Sequence, residues 1–122
     1  MVILNDTFRI ERVRELPDAN GVGVVELEGT PDMVLEVVSD SSEERDTVTL
    51  PHVYHLAGIP EFWRVDARAE LCFEILRREA SGYVPTRQPD GWWRSEVFGR
   101  DFLLTAGVDP IGEPRFTLQH RP

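Results

Sequence analysis

The sequence predicts an α+β domain, close to α/β, in which a mixed β-sheet dominates and few helices occur. Short apolar segments bounded by glycine, proline and aspartate recur along the 122 residues, which is typical of strands joined by turns. Residues 50–57 instead carry apolar side chains at helical spacing, and Gly58 follows them as a helix stop. Because proline is disfavoured inside a helix, this helix is predicted either to be short, at about 50–57, or to be kinked at Pro51. A chain of this length suits one compact unit, so we expect residues 1–122 to form a single domain.

The individual strands follow from alternation and β-branched or aromatic content. Residues 2–13 are predicted to form the first strand, residues 14–21 a turn-rich loop, and residues 22–29 a short strand or an extended loop. The strongest strand prediction covers residues 30–39. Further short strands are predicted at residues 61–67, 71–78, 82–86, 92–98, 102–105 and 115–119.

The charge balance limits the kinds of partner. The chain has 22 acidic and 13 basic residues and a net charge of −9, which argues against a large duplex-binding surface because phosphate contacts need positive charge. A metal-dependent nuclease remains compatible with this balance, since carboxylates that bind Mg²⁺ are acidic and a second subunit can supply basic surface. All 13 basic residues are arginine, and the chain contains no lysine.

Targeting signals are not evident in the sequence. No run of about 18 apolar residues occurs, so we expect no transmembrane helix. The first residues lack both the basic region and the apolar length of a signal peptide, so a cytoplasmic protein is expected. The single cysteine, Cys72, lies in an apolar run and is expected to be a core residue and not a nucleophile.

Glu36 is the first candidate for a chemical role, because it lies inside an apolar strand where an unpaired acid is costly to bury. Asp32 points to the same face of the strand but is ~13 Å away along it. That separation is too large for the two carboxylates to share one Mg²⁺ ion. Asp6, in the predicted first strand, is the best candidate for a second ligand. The alternatives are that Asp6 is a surface residue and that Glu36 is a lone strand carboxylate.

Two segments of the chain resemble a known family. GTPDMVLEVVSDSS and, further on, LPHVYHLAGIPEFWRVDAR are similar to the signature of the Uma-type restriction endonuclease family of the PD-(D/E)XK nuclease superfamily. The similarity is close over residues 30–68, with a helix that carries Tyr54 between two strands. It implies a restriction-endonuclease-like fold with a mixed sheet, here shortened at the N-terminus.

The resemblance also implies site residues and a cofactor. An upstream aspartate and the strand glutamate would bind Mg²⁺ or Mn²⁺, which assigns these roles to Asp6 and Glu36, with Asn5 where a proline is expected. The implied chemistry is metal-assisted hydrolysis of DNA phosphodiester bonds. The family also uses a lysine, and Arg45 is the candidate cation in its place. Asp32, Ser39 and Tyr54 are accessory candidates.

Two functions follow from these observations. The first is a metal-dependent DNA endonuclease, with activity reduced by the missing lysine. The second is a catalytically lapsed nuclease fold that serves as a binding or oligomerisation module. A homodimer is expected, because a short chain with several strands leaves a sheet edge or an apolar face open. Phe62 and Trp63 are predicted core residues, and Glu61 is interpreted as structural.

Overall fold

The computed structural model describes residues 13–16, 26–42 and 45–122. The described strands are β1 (Val13–Leu16), β2 (Glu26–Gly29), β3 (Met33–Val37), β4 (Glu61–Asp66), β5 (Cys72–Glu79), β6 (Gly82–Pro85), β7 (Trp93–Ser95), β8 (Arg100–Val108) and β9 (Pro114–Arg121). A π-helical turn, Arg45–Thr49, runs directly into the helix α1, Leu50–Leu56. Strands therefore dominate the described chain, and the predicted α+β class is confirmed.

The strands form three sheets. The largest has the order β3–β4–β5–β6, in which β3 and β4 are parallel and the other neighbouring pairs are antiparallel. A parallel pair needs a crossover connection, and α1 lies in the connection between β3 and β4. β1 pairs with β2 in a separate antiparallel ribbon, and β7, β8 and β9 form an antiparallel sheet.

The helix α1 begins and ends where the sequence indicates. Pro51 lies in its first turn, where a missing backbone N–H costs no intrahelical hydrogen bond. The backbone N–H of Ala57 donates to the carbonyl of Val53 at 3.0 Å, and Gly58 follows with φ +79°, a conformation that glycine adopts without strain. The short alternative, a helix at about 50–57, agrees with α1 to within one residue, and the π-helical turn Arg45–Thr49 extends helical structure before Pro51.

Alternation along the strands divides the four-stranded sheet into two faces. One face, which we call the helix face, packs on α1 through a cluster of buried residues: Val34, Ile59, Phe62 and Leu76, with Tyr54 and Tyr83 against them. The other, which we call the sheet face, packs against the β7–β8 pair through Met33, Trp63, Phe73, Ile75, Trp93 and Phe102. The predicted burial of Phe62 and Trp63 is confirmed, and each lies in a different cluster.

Several predicted boundaries change. The loop prediction for residues 14–21 is wrong for 14–16, because these residues pair with β2. The strand predicted at 30–39 is shorter, and those at 102–105 and 115–119 are longer, because β8 and β9 pair along their whole length. Of the predicted strand at 2–13, residues 2–12 lie outside the described residues.

The prediction that Cys72 is a core residue is wrong. Cys72 is exposed, because it begins β5 opposite Asp66, at the end where both strands leave the sheet. Partial desolvation, and to a lesser extent the neighbouring Glu74 carboxylate, raise the pKa of the Cys72 thiol above its ordinary value. A raised thiol pKa disfavours the reactive thiolate, and the expectation that Cys72 is not a nucleophile stays a prediction.

Candidate active site

Glu36 and Tyr54 meet on the helix face. Glu36 is half-buried near the end of β3, two residues after the buried Val34. The Tyr54 hydroxyl, projecting from α1, donates a short hydrogen bond to Glu36 Oε1. The Tyr54 ring packs on Phe62 with 5.7 Å between ring centroids, which fixes the direction from which the hydroxyl approaches. The helix thus orients the one acid that interrupts the apolar strand.

A line of charged side chains crosses the sheet at the level of Glu36. Arg64 on β4 is the register partner of Glu36 on one side and of Glu74 on the other. Directly paired residues on adjacent strands project to the same face, so the three side chains form a row that we call the charged row. Arg64 Nε and Nη2 both donate to Glu74 Oε2, at 2.9 and 2.5 Å.

The charged row borders a cavity of about 350 Å³ between α1 and the sheet. Its lining includes Pro51, His52, His55, Arg64, Glu74 and Tyr83. His55 is held in place by a contact of its Nε2 with the Glu79 carbonyl at 2.6 Å and by edge-on packing against Tyr83. Arg64 therefore stands at the border between the Glu36 carboxylate and an open, polar recess.

The other site candidates fall in different places. Asp32 is buried just before β3 begins, at the opposite end of the strand from Glu36. Ser39 is exposed after β3, and its hydroxyl shares hydrogen bonds with those of Ser41 and Ser42 in a tight turn. Of the accessory candidates, only Tyr54 touches Glu36 in the described structure.

The remaining two candidates cannot be placed at the site. Asp6 lies outside the described residues. Arg45 begins the π-helical turn before α1, and its side chain is outside the description. The roles of Asp6 as a metal ligand and of Arg45 as the site cation therefore stay predictions.

The side chains around Glu36 do not by themselves form a metal site within the described residues. Within residues 13–16, 26–42 and 45–122, no group of three or more His, Cys, Asp or Glu side chains is arranged to hold a metal ion. Glu36 itself is a suitable single ligand, since Tyr54 occupies Oε1 and no group in the described part of the chain donates to Oε2. Its register partner on β4 is the guanidinium of Arg64 and not a second carboxylate.

Arg64 and Glu74 are the members of the site that the sequence reasoning missed. The signal was available, because both interrupt apolar strands in the way that singled out Glu36. Arg64 also lies two residues after the buried Phe62, which places it on the same packed face of β4. Their pairing with one another depends on the antiparallel register of β4 and β5.

Glu61, at the start of β4, has a different role. It is 2% exposed, and its carboxylate accepts hydrogen bonds from Trp63 Nε1 at 2.6 Å and Ser95 Oγ at 2.7 Å. The backbone N–H groups of Glu96 and Val97 also donate to it, at 2.9 and 3.4 Å. These contacts connect the four-stranded sheet to β7 and the turn after it, which supports the structural interpretation.

Comparison with known proteins adds one finding. A family model named Uma2, with the description "Putative restriction endonuclease", matches residues 6–107. No curated protein matches the chain. Neither of the described helical segments is long and apolar enough to cross a membrane. The matched range includes Glu36, Tyr54 and the whole charged row.

Proposed function

This chain belongs to the Uma2 restriction endonuclease family, and from that premise we propose that it is a metal-dependent DNA endonuclease of low intrinsic activity. The observation that carries the proposal is Glu36, a half-buried carboxylate that Tyr54 holds at one oxygen and whose other oxygen has no donor among the described residues. A carboxylate inside an apolar strand is costly to bury unless it is paired, hydrogen-bonded or bound to a metal ion, and metal binding is the role that we propose.

The proposed metal is Mg²⁺ or Mn²⁺, held by Glu36 together with Asp6. When bound, such an ion neutralises charge on the scissile phosphate and lowers the pKa of a water molecule. Tyr54 keeps the Glu36 carboxylate in one orientation, so that Oε2 is presented to the ligand position. The chain has no lysine to stabilise the developing charge, and loss of one well-placed electrostatic group costs about 10²–10³ in rate.

The first test is a nicking assay on supercoiled plasmid DNA with Mn²⁺ or Mg²⁺. We expect slow nicking by the wild-type chain, complete loss in Glu36→Gln, and wild-type behaviour in Glu113→Gln. Glu113 is an exposed acid in the β8–β9 turn and serves as the matched control. Absence of nicking together with absence of Mn²⁺ binding in calorimetry would contradict the proposal.

One observation favours a second function. The ladder neighbour of Glu36 is Arg64, which is already ion-paired, and not a second acid. A lapsed nuclease fold that binds a partner without cutting DNA would show this arrangement. This second function predicts that the wild-type chain neither binds Mn²⁺ nor nicks DNA. It also predicts that Glu36→Gln behaves like the wild type in both measurements.

We also propose a homodimer, which would double the basic surface available to DNA. Leu35 and Val37 on β3 are 45% and 63% exposed, and β3 is an edge strand within the described sheet. A second copy that covers this apolar edge would remove it from water. Sedimentation at ~100 μM is expected to show a dimer for the wild type and a monomer for Leu35→Glu. Only monomer in both would contradict it.

A further inference from the structure

We propose that Arg64 is the cation that contacts a DNA phosphate at the Glu36 site, and that Glu74 is the residue that positions it. The inference rests on the proposed nuclease function. It gives Arg64, on β4, the role of the site cation, for which the sequence alone suggested Arg45. Arginine cannot act as a base at ordinary pH, so the role of Arg64 is electrostatic stabilisation of phosphate charge.

Register is the first argument. Arg64 is paired directly with Glu36 in the parallel ladder of β3 and β4. Adjacent strands lie ~4.8 Å apart, so the two side chains leave the sheet side by side on the helix face. A phosphate that contacts an ion bound by Glu36 is therefore within reach of the Arg64 guanidinium, because the arginine side chain extends over a distance similar to the spacing between the strands.

The ion pair with Glu74 is the second argument. Both Arg64 Nε and Nη2 donate to one oxygen, Glu74 Oε2, so the guanidinium is held in a fixed plane along one edge. Arg64 Nη1 donates to no group in the described residues and remains for a further acceptor. A phosphate oxygen is an acceptor that matches the geometry of a fixed guanidinium.

Exposure is the third argument. The side chains of Arg64 and Glu74 are 21% and 24% exposed, so the pair is sheltered and still reached by solvent. Arg64 also lines the cavity of about 350 Å³ between α1 and the sheet, which gives an anionic group room beside this residue. The ion pair Arg77–Glu79, at 49% and 46% exposure, lacks this shelter.

DNA binding in Ca²⁺, measured over a series of salt concentrations, tests the proposal without requiring cleavage. Arg64→Gln is expected to weaken binding several-fold and to lower the salt slope by about 1, because one phosphate contact is lost. Arg64→Lys is expected to restore the slope in part. Arg77→Gln, the matched control, is expected to leave affinity and slope closer to those of the wild type.

Removal of Arg64 alone leaves Glu74 without its partner, so the double variant Arg64→Gln/Glu74→Gln is measured beside it. This variant replaces the ion pair by two neutral amides, so it is expected to fold. Its salt slope for DNA binding is expected to be lowered as much as that of Arg64→Gln. Glu74→Gln alone keeps the charge of Arg64 and is expected to retain the slope while nicking slows several-fold, which a merely structural role would not produce.

The outcomes separate the two proposals. A wild-type chain that binds neither Mn²⁺ nor DNA overturns the nuclease function and the Arg64 assignment with it. A wild-type chain that binds both, with Arg64→Gln indistinguishable from Arg77→Gln in affinity and slope, overturns the Arg64 assignment alone. Loss of slope in Arg64→Gln and in the double variant, with partial recovery in Arg64→Lys, supports it.

Discussion

Glu36 and Glu61 are both glutamates that begin or interrupt apolar strands of the same sheet, and their surroundings differ sharply. Glu61 lies on the sheet face and accepts hydrogen bonds from four groups of β4, β7 and the following turn. Glu36 lies on the helix face, and the Tyr54 hydroxyl is its donor among the described residues. Glu61 is 2% exposed, whereas Glu36 is half-buried.

The difference indicates how to separate a structural acid from a functional one. A buried carboxylate whose oxygens are all occupied offers nothing to a ligand, and its hydrogen bonds connect two sheets. A carboxylate that is oriented by one donor and open at its other oxygen retains the capacity to bind. Both residues look alike in sequence, so the difference lies in the number of donors that the fold brings to each.

The largest effect is expected at Glu61. Glu61→Gln replaces one acceptor oxygen by an NH₂ group that faces existing donors, so at least one buried hydrogen bond is lost. We expect the free energy of unfolding to fall by about 3 kcal/mol, measured by urea denaturation. A decrease below about 1 kcal/mol would contradict the structural role and would weaken the contrast with Glu36.

Tyr54→Phe is expected to have a smaller effect. The ring keeps its packing on Phe62, and the hydrogen bond to Glu36 is lost. Loss of one such bond lowers the free energy of unfolding by about 1 kcal/mol. If Tyr54 orients Glu36, Mn²⁺ affinity falls as well, whereas Tyr83→Phe, which removes a hydroxyl bound to the Ile59 carbonyl, affects stability alone. Equal Mn²⁺ affinity in both variants would argue against the orienting role.

Glu36→Gln sharpens the comparison most directly. The amide oxygen can still accept from Tyr54, so we expect the free energy of unfolding to change by less than about 0.5 kcal/mol. Mn²⁺ binding, by contrast, is expected to be lost in isothermal titration calorimetry, because a neutral amide is a poor metal ligand. A large loss of stability in this variant would mean that Glu36, like Glu61, is chiefly structural.

The smallest effect concerns a third carboxylate, Asp66, at the end of β4. Hydrogen bonds from the Arg68 side chain and backbone lower the pKa of Asp66 from 3.8 to about 2. A lowered folded-state pKa stabilises the protein above the unfolded value of 3.8, and this contribution is lost as the pH falls through about 2.

Asp66→Asn is therefore expected to lower stability slightly at pH 7 and by less at pH 2. Thermal unfolding of both proteins over this pH range measures the difference, which should also shrink with added salt because the ion pair is at the surface. A difference that is constant with pH would show that the carboxylate charge does not contribute.

Local pattern determined much of the secondary structure. Proline at the start and glycine at the end bounded α1, and alternation placed Phe62 and Trp63 in β4 with both side chains buried. The ends of the strands were predicted less accurately. The extent of β8 and β9 depends on their pairing with one another and not on either segment alone. The misplacement of Cys72 has the same origin, since burial at a strand end depends on what covers it.

For the site, the sequence by itself determined that Glu36 is an acid in an apolar strand and that the chain has no lysine to place beside it. The tertiary structure alone decided its neighbours. Tyr54 lies 18 positions away and reaches Glu36 because α1 packs on the helix face, and Arg64 lies beside it because β3 and β4 pair in parallel. Ser95 lies 34 positions from Glu61, and its hydroxyl donates a hydrogen bond to the Glu61 carboxylate because the two sheets pack face to face. Contacts between distant elements depend on register and packing, which local periodicity does not encode.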